Sequence, residues 1–408
     1  MNGMPRVMQL EVLAADLPFR HPFRHAAATR KSSNSLFVKC VTDAGTTGFG
    51  ESLPRNYVTG ETRDGAFALL ERAVLPNLVG MEFDTMEAVY QFLRNCDGTP
   101  PPVWIGHADS PQLAAWCAVD LALLDAFGRA FGERVRVGHG AGAGNACAPA
   151  PPYSGVVSAD DGWRFRLSLL KLRLFGLRHV KLKTTGGDPL TPARTARRIL
   201  GNNTAIRIDA NMSWQTSEAL RNIRALHQLG IECVEQPLHP SNSEGLAMLV
   251  RETNAEIIAD EGCTDHASLV RLVGERACRG VNVRISKCGG LMAAARRCEE
   301  ARRAGLALQI GCQVGESSLL SAAQRILVSS VGAPRYLEGC YGKHLLCEDP
   351  VIPNLQIGYG GRAPRLPERD GLGVKVDEIK LKRWVTRRAL IVSGALQQSQ
   401  RRRTLCRL

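Results

Sequence analysis

Three acidic residues in the second half of the chain are spaced so that one repeated unit could bring them together. Asp209, Glu235 and Asp260 each follow a short β-branched run. Roughly 25 residues separate one from the next, which is the length of a strand and a helix. A set of carboxylates that includes neither His nor Cys suits Mg²⁺ and argues against Zn²⁺. We therefore predict a magnesium site, with Mn²⁺ as a possible substitute.

Lysines flank these acids in the sequence. Lys181 and Lys183 precede Asp209 and, as alternate residues of one strand, project to the same side. Positive charge nearby disfavours the ammonium form, and a neutral amine can remove a proton. We predict that Lys183 and Lys287 act as acid and base on opposite faces of a carboxylate substrate, whose enolate the metal stabilises. The alternative is that the lysines only neutralise the acids.

The pattern around these residues predicts a parallel barrel preceded by an α+β lobe. Strand-like runs recur at residues 153–157 and near positions 180, 206, 231, 257, 281, 308 and 336, with amphipathic helical patterns between them. Polar residues at the carboxyl ends of such strands mark the functional rim of a barrel. Upstream, residues 8–16 and 34–42 are predicted strands, and residues 61–131 are mainly helical.

Composition and charge narrow the class of protein. No apolar run approaches the roughly 20 residues of a membrane helix. The 13 cysteines include no Cys-x-x-Cys pair, which is typical of reduced thiols in a cytoplasmic protein. The net charge of +13 is concentrated in residues 380–408, which hold nine Lys or Arg and no acid. We expect a solvated, disordered tail there, and we do not expect nucleic acid as the main partner.

Five short motifs give the chain a family resemblance. They are Lys-x-Lys at 181, Asp-x-Asn at 209, Glu-Gln-Pro at 235, Asp-Glu at 260 and Lys-x-Gly-Gly at 287. With these motifs the chain resembles the enolase superfamily over about residues 8–378, in the muconate-lactonizing (mandelate racemase/muconate cycloisomerase-like) subgroup. That subgroup includes dipeptide epimerases, N-acylamino-acid racemases and o-succinylbenzoate synthases. The resemblance implies an α/β fold, a (β/α)₇β modified TIM barrel with an N-terminal α+β capping domain.

The domain boundaries follow from the pattern and the resemblance together. We predict the capping domain at residues 1–140, a linker at 141–152 and the catalytic barrel at 153–350. A C-terminal segment, residues 351–379, returns to the capping domain, and the basic tail follows at 380–408. We also expect a homo-oligomer.

The resemblance assigns roles to single residues as well. It implies metal ligands at Asp209, Glu235 and Asp260, and the acid–base pair Lys183 and Lys287. It implies supporting residues at Lys181, Asn211, Glu261 and Glu316. Two capping-domain loops, residues 20–25 and 53–61, match those that set substrate specificity in the family, with His25, Arg55, Tyr57 and Thr59 as the candidate contacts.

The predicted function is Mg²⁺-dependent removal of the α-proton of a small carboxylate, in a racemase or epimerase of an amino-acid derivative or dipeptide. Dipeptide epimerases carry Asp-x-Asp after the eighth strand, whereas this chain has Glu338-Gly339-Cys340-Tyr341, which speaks against a free-amine dipeptide. The alternatives are a muconate-type cycloisomerase or an o-succinylbenzoate synthase-like dehydratase. Outside this chemistry, the chain could be a non-catalytic relative or bind nucleic acid through its basic tail.

Overall fold

The computed structural model describes residues 4–25, 28–106, 110–137, 150–159, 162–184, 187–231 and 233–392. None of the helices within these ranges combines the length and the apolar composition that crossing a bilayer requires.

The N-terminal lobe is an antiparallel sheet packed against helices. Its strands are β1 (Val7–Ala15), β2 (Pro18–His25), β3 (Ala28–Ser32), β4 (Ser35–Thr42) and β5 (Thr47–Ser52). Its helices are α1 (Asn56–Thr59), α2 (Arg63–Leu69), α3 (Leu75–Leu78), α4 (Met86–Cys96), α5 (Pro102–Ile105) and α6 (Leu113–Ala130). Helix α6 lies so close to β5 that a Cβ at Gly50 would collide with the main chain of Ala118, which explains the glycine there.

The second lobe is a ring of eight parallel strands. They are β6 (Gly155–Ser158), β7 (His179–Lys183), β8 (Ala205–Asp209), β9 (Cys233–Glu235), β10 (Glu256–Ala259), β11 (Gly280–Val283), β12 (Ala307–Ile310) and β13 (Tyr336–Leu337), paired in this order. The Ser154 N–H donates to the Leu337 carbonyl at 2.8 Å and closes the ring.

Seven helices follow the first seven strands of the ring. They are α7 (Trp163–Leu174), α8 (Leu190–Leu200), α9 (Thr216–His227), α10 (Ser243–Glu252), α11 (His266–Gly274), α12 (Leu291–Arg303) and α13 (Ser318–Val331). The predicted (β/α)₇β barrel with an N-terminal α+β lobe is thus confirmed.

The C-terminal segment runs back to the N-terminal sheet. It contains β14 (Val351–Ile352), β15 (Lys375–Val376), α14 (Glu378–Lys382) and β16 (Val385–Val392). Strand β16 pairs antiparallel with β1, so the expectation of a solvated tail is wrong for these residues. The guanidinium of Arg387 pairs with Glu71 at 2.9 Å and lies 3.9 Å from the ring centroid of Phe67. The positive charge of Arg387 is therefore held against the N-terminal lobe. Residues 393–408 lie outside the described ranges.

Hydrogen bonds join the N-terminal lobe to the turns at the barrel mouth. The buried Asp120 of α6 accepts from Leu291 N at 2.7 Å, at the start of α12. The N–H of Leu53 donates to Ser286 Oγ at 2.9 Å. Glu51, at the end of β5, accepts from the main-chain N–H of Ser317 at 3.2 Å. The lobe therefore fixes the turns after the sixth and seventh barrel strands.

Candidate active site

The three predicted metal ligands lie together at the carboxyl ends of neighbouring barrel strands. Asp209 and Glu235 are paired residues at the ends of β8 and β9, and Asp260 directly follows β10. Each of the three is fully buried. Lys181 contacts Asp209 and Glu235, and Arg284 contacts Glu235 and Asp260, so the three carboxylates belong to one ionic cluster.

Glu235 is the most firmly held of the three acids. Lys181 Nζ contacts both of its oxygens, at 3.2 and 3.1 Å. Asn282 Nδ2 donates to Oε1 at 2.8 Å and Gln309 Nε2 donates to Oε2 at 2.9 Å. Burial acts to raise the pKa of Glu235, but the cations of Lys181 and Arg284 outweigh it and lower that pKa below its ordinary value.

Lys181 is the cation that joins these acids. Its Nζ lies 3.4 Å from Asp209 Oδ2 and 2.7 Å from Glu338 Oε2, besides its contacts with Glu235. Burial acts to lower the pKa of Lys181, but the three carboxylates raise it above its ordinary value. These contacts suit Lys181 to holding the carboxylates in place.

Lys183 faces the cavity. It is 9% exposed and lines the barrel mouth, with Nζ 3.0 Å from Asp209 Oδ2. A lysine on the wall of a cavity, held by one carboxylate, is free on its other side to meet a substrate. This is the placement that an acid–base group needs.

Lys287 is placed differently from what was expected. Its side chain is fully buried and does not line the cavity. Its Nζ donates to the carbonyls of Asp260 and Asn282, each at 2.6 Å, and to Asp260 Oδ1 at 2.9 Å. All three hydrogens of the ammonium are thus engaged within the protein.

Arg284 lines the cavity on this side of the barrel. It continues the inward alternation of Asn282, two residues earlier, and is 6% exposed. Its guanidinium contacts the Asp260 carboxylate, and its NH1 donates to Gln313 Oε1 at 3.2 Å. Strand β11 ends just before Arg284, and a turn follows. In this turn the Lys287 N–H donates to the Arg284 carbonyl at 3.1 Å, and the turn carries Lys287 away from the cavity wall.

The other predicted supporting residues divide into two groups. Asn211 and Glu261 both line the cavity, and Asn211 Nδ2 lies 3.5 Å from Glu261 Oε1. Burial, reinforced by the charge of Asp209, raises the pKa of Glu261 to about 7. Glu316 instead accepts from the Gln313 N–H at 2.6 Å behind the wall, and burial raises its pKa to about 8.

Of the four candidate specificity residues, the structure brings Tyr57 to the cavity wall. The Arg55 side chain is 2% exposed, and its NH2 donates to the carbonyls of Ser33 at 2.7 Å and Val314 at 3.1 Å. This arrangement ties the lobe to the barrel. Thr59 Oγ1 donates to the Arg55 carbonyl at 3.5 Å. The side chain of His25 lies outside the described part of the chain.

The cavity bounded by these groups has a volume of about 470 Å³. One end is polar and includes Lys183, Glu261 and Arg284. The other end lies towards β6 and α7 and is mostly apolar, lined by Leu172, Phe175, Leu177, Tyr341, Leu345 and Ile357. A substrate that places a carboxylate at the polar end and an apolar substituent at the other would match these walls.

Sequence reasoning did not assign several polar residues that complete the site. Arg207 NH2 pairs with Glu338 Oε1 at 2.5 Å inside the barrel, and Asn282, Arg284 and Gln309 also point inward. Strand alternation could have found them, since Arg207 lies two residues before Asp209 and Arg284 two after Asn282. Glu338 is held by Lys181 and Arg207, so its charge is already compensated within the protein.

The acidic residues supply oxygen donors that suit Mg²⁺. Asp209 Oδ2 and Asp260 Oδ2 are buried and receive no aligned hydrogen bond, although Lys183 and Arg284 stand against them as counter-ions. Within the described ranges, no three such side chains already converge at ion-binding distance. The donor chemistry nevertheless fits a hard divalent cation. Such an ion could bind these two oxygens alongside Lys183 and Arg284.

Family comparisons agree with this geometry. Residues 8–136 match the mandelate racemase/muconate lactonizing enzyme N-terminal domain, and residues 168–380, more than half of the chain, match the enolase C-terminal domain-like family. The chain belongs to the enolase superfamily.

Curated relatives of this enolase-superfamily chain are isomerases. It is 31% identical to the L-Ala-D/L-Glu epimerase of Clostridium acetobutylicum, over 76% of the chain and 85% of that relative. It is 27% identical to the N-succinyl-L-Arg/Lys racemase of Bacillus cereus, over 91% and 96%. It is 26% identical to muconate cycloisomerase 1 of Rhodococcus opacus, over 93% and 98%. The chain is thus an isomerase-type member of the superfamily.

A solved structure shows the same fold. The dipeptide epimerase of Cytophaga hutchinsonii, determined with Mg and the dipeptide D-Ala-L-Val, matches with a TM-score of 0.80 at 22% identity. The match covers 95% of this chain and 100% of the other.

Proposed function

We propose that this enzyme isomerises a small carboxylate by removing its α-proton, with Lys183 as the base and an amino-acid derivative as the substrate. The observation that carries the proposal is the position of Lys183 on the cavity wall, 3.0 Å from a buried carboxylate of the acid cluster. Racemases and epimerases of amino-acid derivatives among the relatives support this substrate class.

Asp209, Glu235 and Asp260 would hold a Mg²⁺ ion. When bound, such an ion stabilises the negative charge that forms on the substrate carboxylate as the α-proton leaves. Lys181 and Arg284 add fixed positive charge at the same end of the cavity. These preorganised charges lower the cost of forming the anion.

Lys183 moves the proton. Its amine takes the hydrogen from the α-carbon, and the electron pair of the C–H bond passes into the carboxylate group of the substrate. Lys181 is less suited to this role, because its Nζ is engaged by three carboxylates of the protein. The apolar walls around Phe175 and Leu177 would hold the substituent and orient the α-carbon.

Cycloisomerisation is the second candidate, and one observation favours it. A racemase that uses two bases needs an amine on each face of the α-carbon, whereas here Lys287 is buried and fully hydrogen-bonded. A cycloisomerase needs one lysine for proton transfer. The muconate cycloisomerases among the relatives are consistent with this candidate.

Proton NMR in D₂O on a panel of α-substituted carboxylates tests the proposal. Loss of the α-proton signal, dependent on Mg²⁺ and abolished by a chelator, is the expected result. Epimerisation would convert one stereoisomer into the other, and cycloisomerisation would change the carbon skeleton. An enzyme that exchanges no α-proton of any carboxylate in the panel would refute the proposal.

A further inference from the structure

The group that faces Lys183 across the barrel is an arginine. Lys183 ends the second barrel strand, β7, and Arg284 directly follows the sixth, β11. Positions four strands apart in a ring of eight are diametrically opposed. Both side chains line the same cavity, so a substrate between them would have one on each side.

Lys287 cannot take this place without breaking its own contacts. It lies in the turn three residues beyond Arg284, and its Nζ is held by two carbonyls and one carboxylate oxygen at 2.6–2.9 Å. Turning it into the cavity would leave buried acceptors of Asp260 and Asn282 without this donor, which is costly in a buried site.

An arginine and a lysine at this position do different chemistry. A guanidinium carries five N–H donors and no acceptor, so it can bind carboxylate or enolate oxygens but does not accept a proton from carbon. An amine can act as a base when it is neutral. The two walls of the cavity are therefore chemically unequal.

We propose that Lys183 is the single base of this site, and that Arg284 is the opposing catalytic residue, which binds substrate oxygens without exchanging protons. The inference rests on the proposed function and deepens it. Lys183 takes the α-proton, and the C–H electron pair passes into the substrate carboxylate. In simple exchange the same amine returns a proton to the same face. In a cycloisomerisation that opens a lactone, the electron pair instead expels the ring oxygen as the neighbouring C–O bond breaks, and the proton passes from Lys183 to solvent. Proton transfer on one face favours cycloisomerisation over two-base racemisation.

Exchange of single enantiomers in D₂O tests this directly. The probes are the separate L and D forms of N-acetylphenylalanine and N-acetylleucine, chosen because the far end of the cavity is apolar. The wild-type enzyme should exchange the α-proton of one enantiomer of a pair. Arg284→Lys should gain exchange of the other by on the order of 10²-fold or more, since it supplies the missing base. Arg284→Met, which has neither charge nor base, should show no such gain.

A second variant, Lys287→Arg, asks whether Lys287 is a second base. It keeps a cation and N–H donors but removes the amine. It should leave the preference for one enantiomer unchanged. Similar wild-type rates for the two enantiomers would overturn the inference, and so would loss of exchange in a Lys287→Arg protein that is folded. Failure of the wild type to exchange any carboxylate would instead refute the proposed function, so the two failures are distinct.

Discussion

The ammonium group of Lys287 donates to the main-chain carbonyl of Asp260 at 2.6 Å and to the carboxylate of the same residue at 2.9 Å. Lys287 therefore braces the end of β10, where Asp260 leaves the strand. Two barrel strands that carry site residues are tied together by one buried cation, which also binds the Asn282 carbonyl of β11.

Replacing Lys287 by methionine should destabilise the fold. The change leaves the Asp260 carboxylate and two carbonyls short of a donor, and removing one partner of a buried ion pair costs about 3–5 kcal/mol. Chemical denaturation measures the loss. Lys375→Met, at an exposed position, is the control and should change stability by less than about 0.5 kcal/mol. Equal stability of the two variants would show that the buried contacts of Lys287 contribute nothing.

Removing the acids should weaken metal binding. Asp209→Asn should lower the affinity for Mg²⁺ measured by calorimetry, because it removes one charged oxygen ligand. Asp188→Asn, on an exposed carboxylate outside the site, is the matched control and should leave the affinity unchanged. Chelation should abolish turnover, and Mg²⁺ or Mn²⁺ should restore it. Full activity after exhaustive chelation would contradict the metal assignment.

Asp120 should make stability depend on pH. Burial raises its pKa from 3.8 to about 7, although the Leu291 and Met292 N–H groups oppose the shift. Because the folded chain holds this proton more tightly than the unfolded chain, the stabilisation is complete below about pH 4 and is lost as the pH rises to about 7.

Asp120→Asn keeps an oxygen acceptor for Leu291 and cannot ionise. The melting temperature of this variant minus that of the wild type should therefore increase from about pH 4 to about pH 7 and then level off. Asp188→Asn should show the opposite trend, and at pH values near and below about 4, since a hydrogen bond from Thr191 lowers the pKa of Asp188. A flat difference for Asp120→Asn across this range would contradict the assignment.

Strand β16 should contribute to stability. Truncation after Trp384 removes its ladder with β1 and the Arg387–Glu71 pair, whereas truncation after Val392 leaves both in place. The shorter protein should melt several degrees below the longer one, because β1 would become an unpaired edge. Identical melting curves for the two truncations would show that the strand is dispensable.

The sequence predicted most of the barrel rim because the signals are local. Asp209, Glu235 and Asp260 each end a β-branched run, and a parallel barrel gathers strand ends at one rim. Lys183 was located by the same rule. Lys287 was not, because a turn after β11 reverses the chain, and strand alternation ends at Arg284.

Other features depend on contacts between distant parts of the chain. The burial of Arg55 is set by carbonyls of Ser33 and Val314, which sequence spacing alone does not bring together. Strand β16 lies in a basic stretch of sequence that resembles a solvated tail, and its pairing with β1 makes it a strand. Glu338 was noted in the sequence. Its ion pairs with Lys181 and Arg207 could not be predicted there, because the three residues meet only when the barrel closes.

The most direct test of the central claim is the rate of α-proton exchange in D₂O by Lys183→Ala. If Lys183 is the base, exchange should fall by on the order of 10²–10⁴ in a variant that still folds and still binds Mg²⁺. Added ethylamine should restore part of the rate by entering the space left by the side chain. Exchange by Lys183→Ala at the wild-type rate would contradict the account.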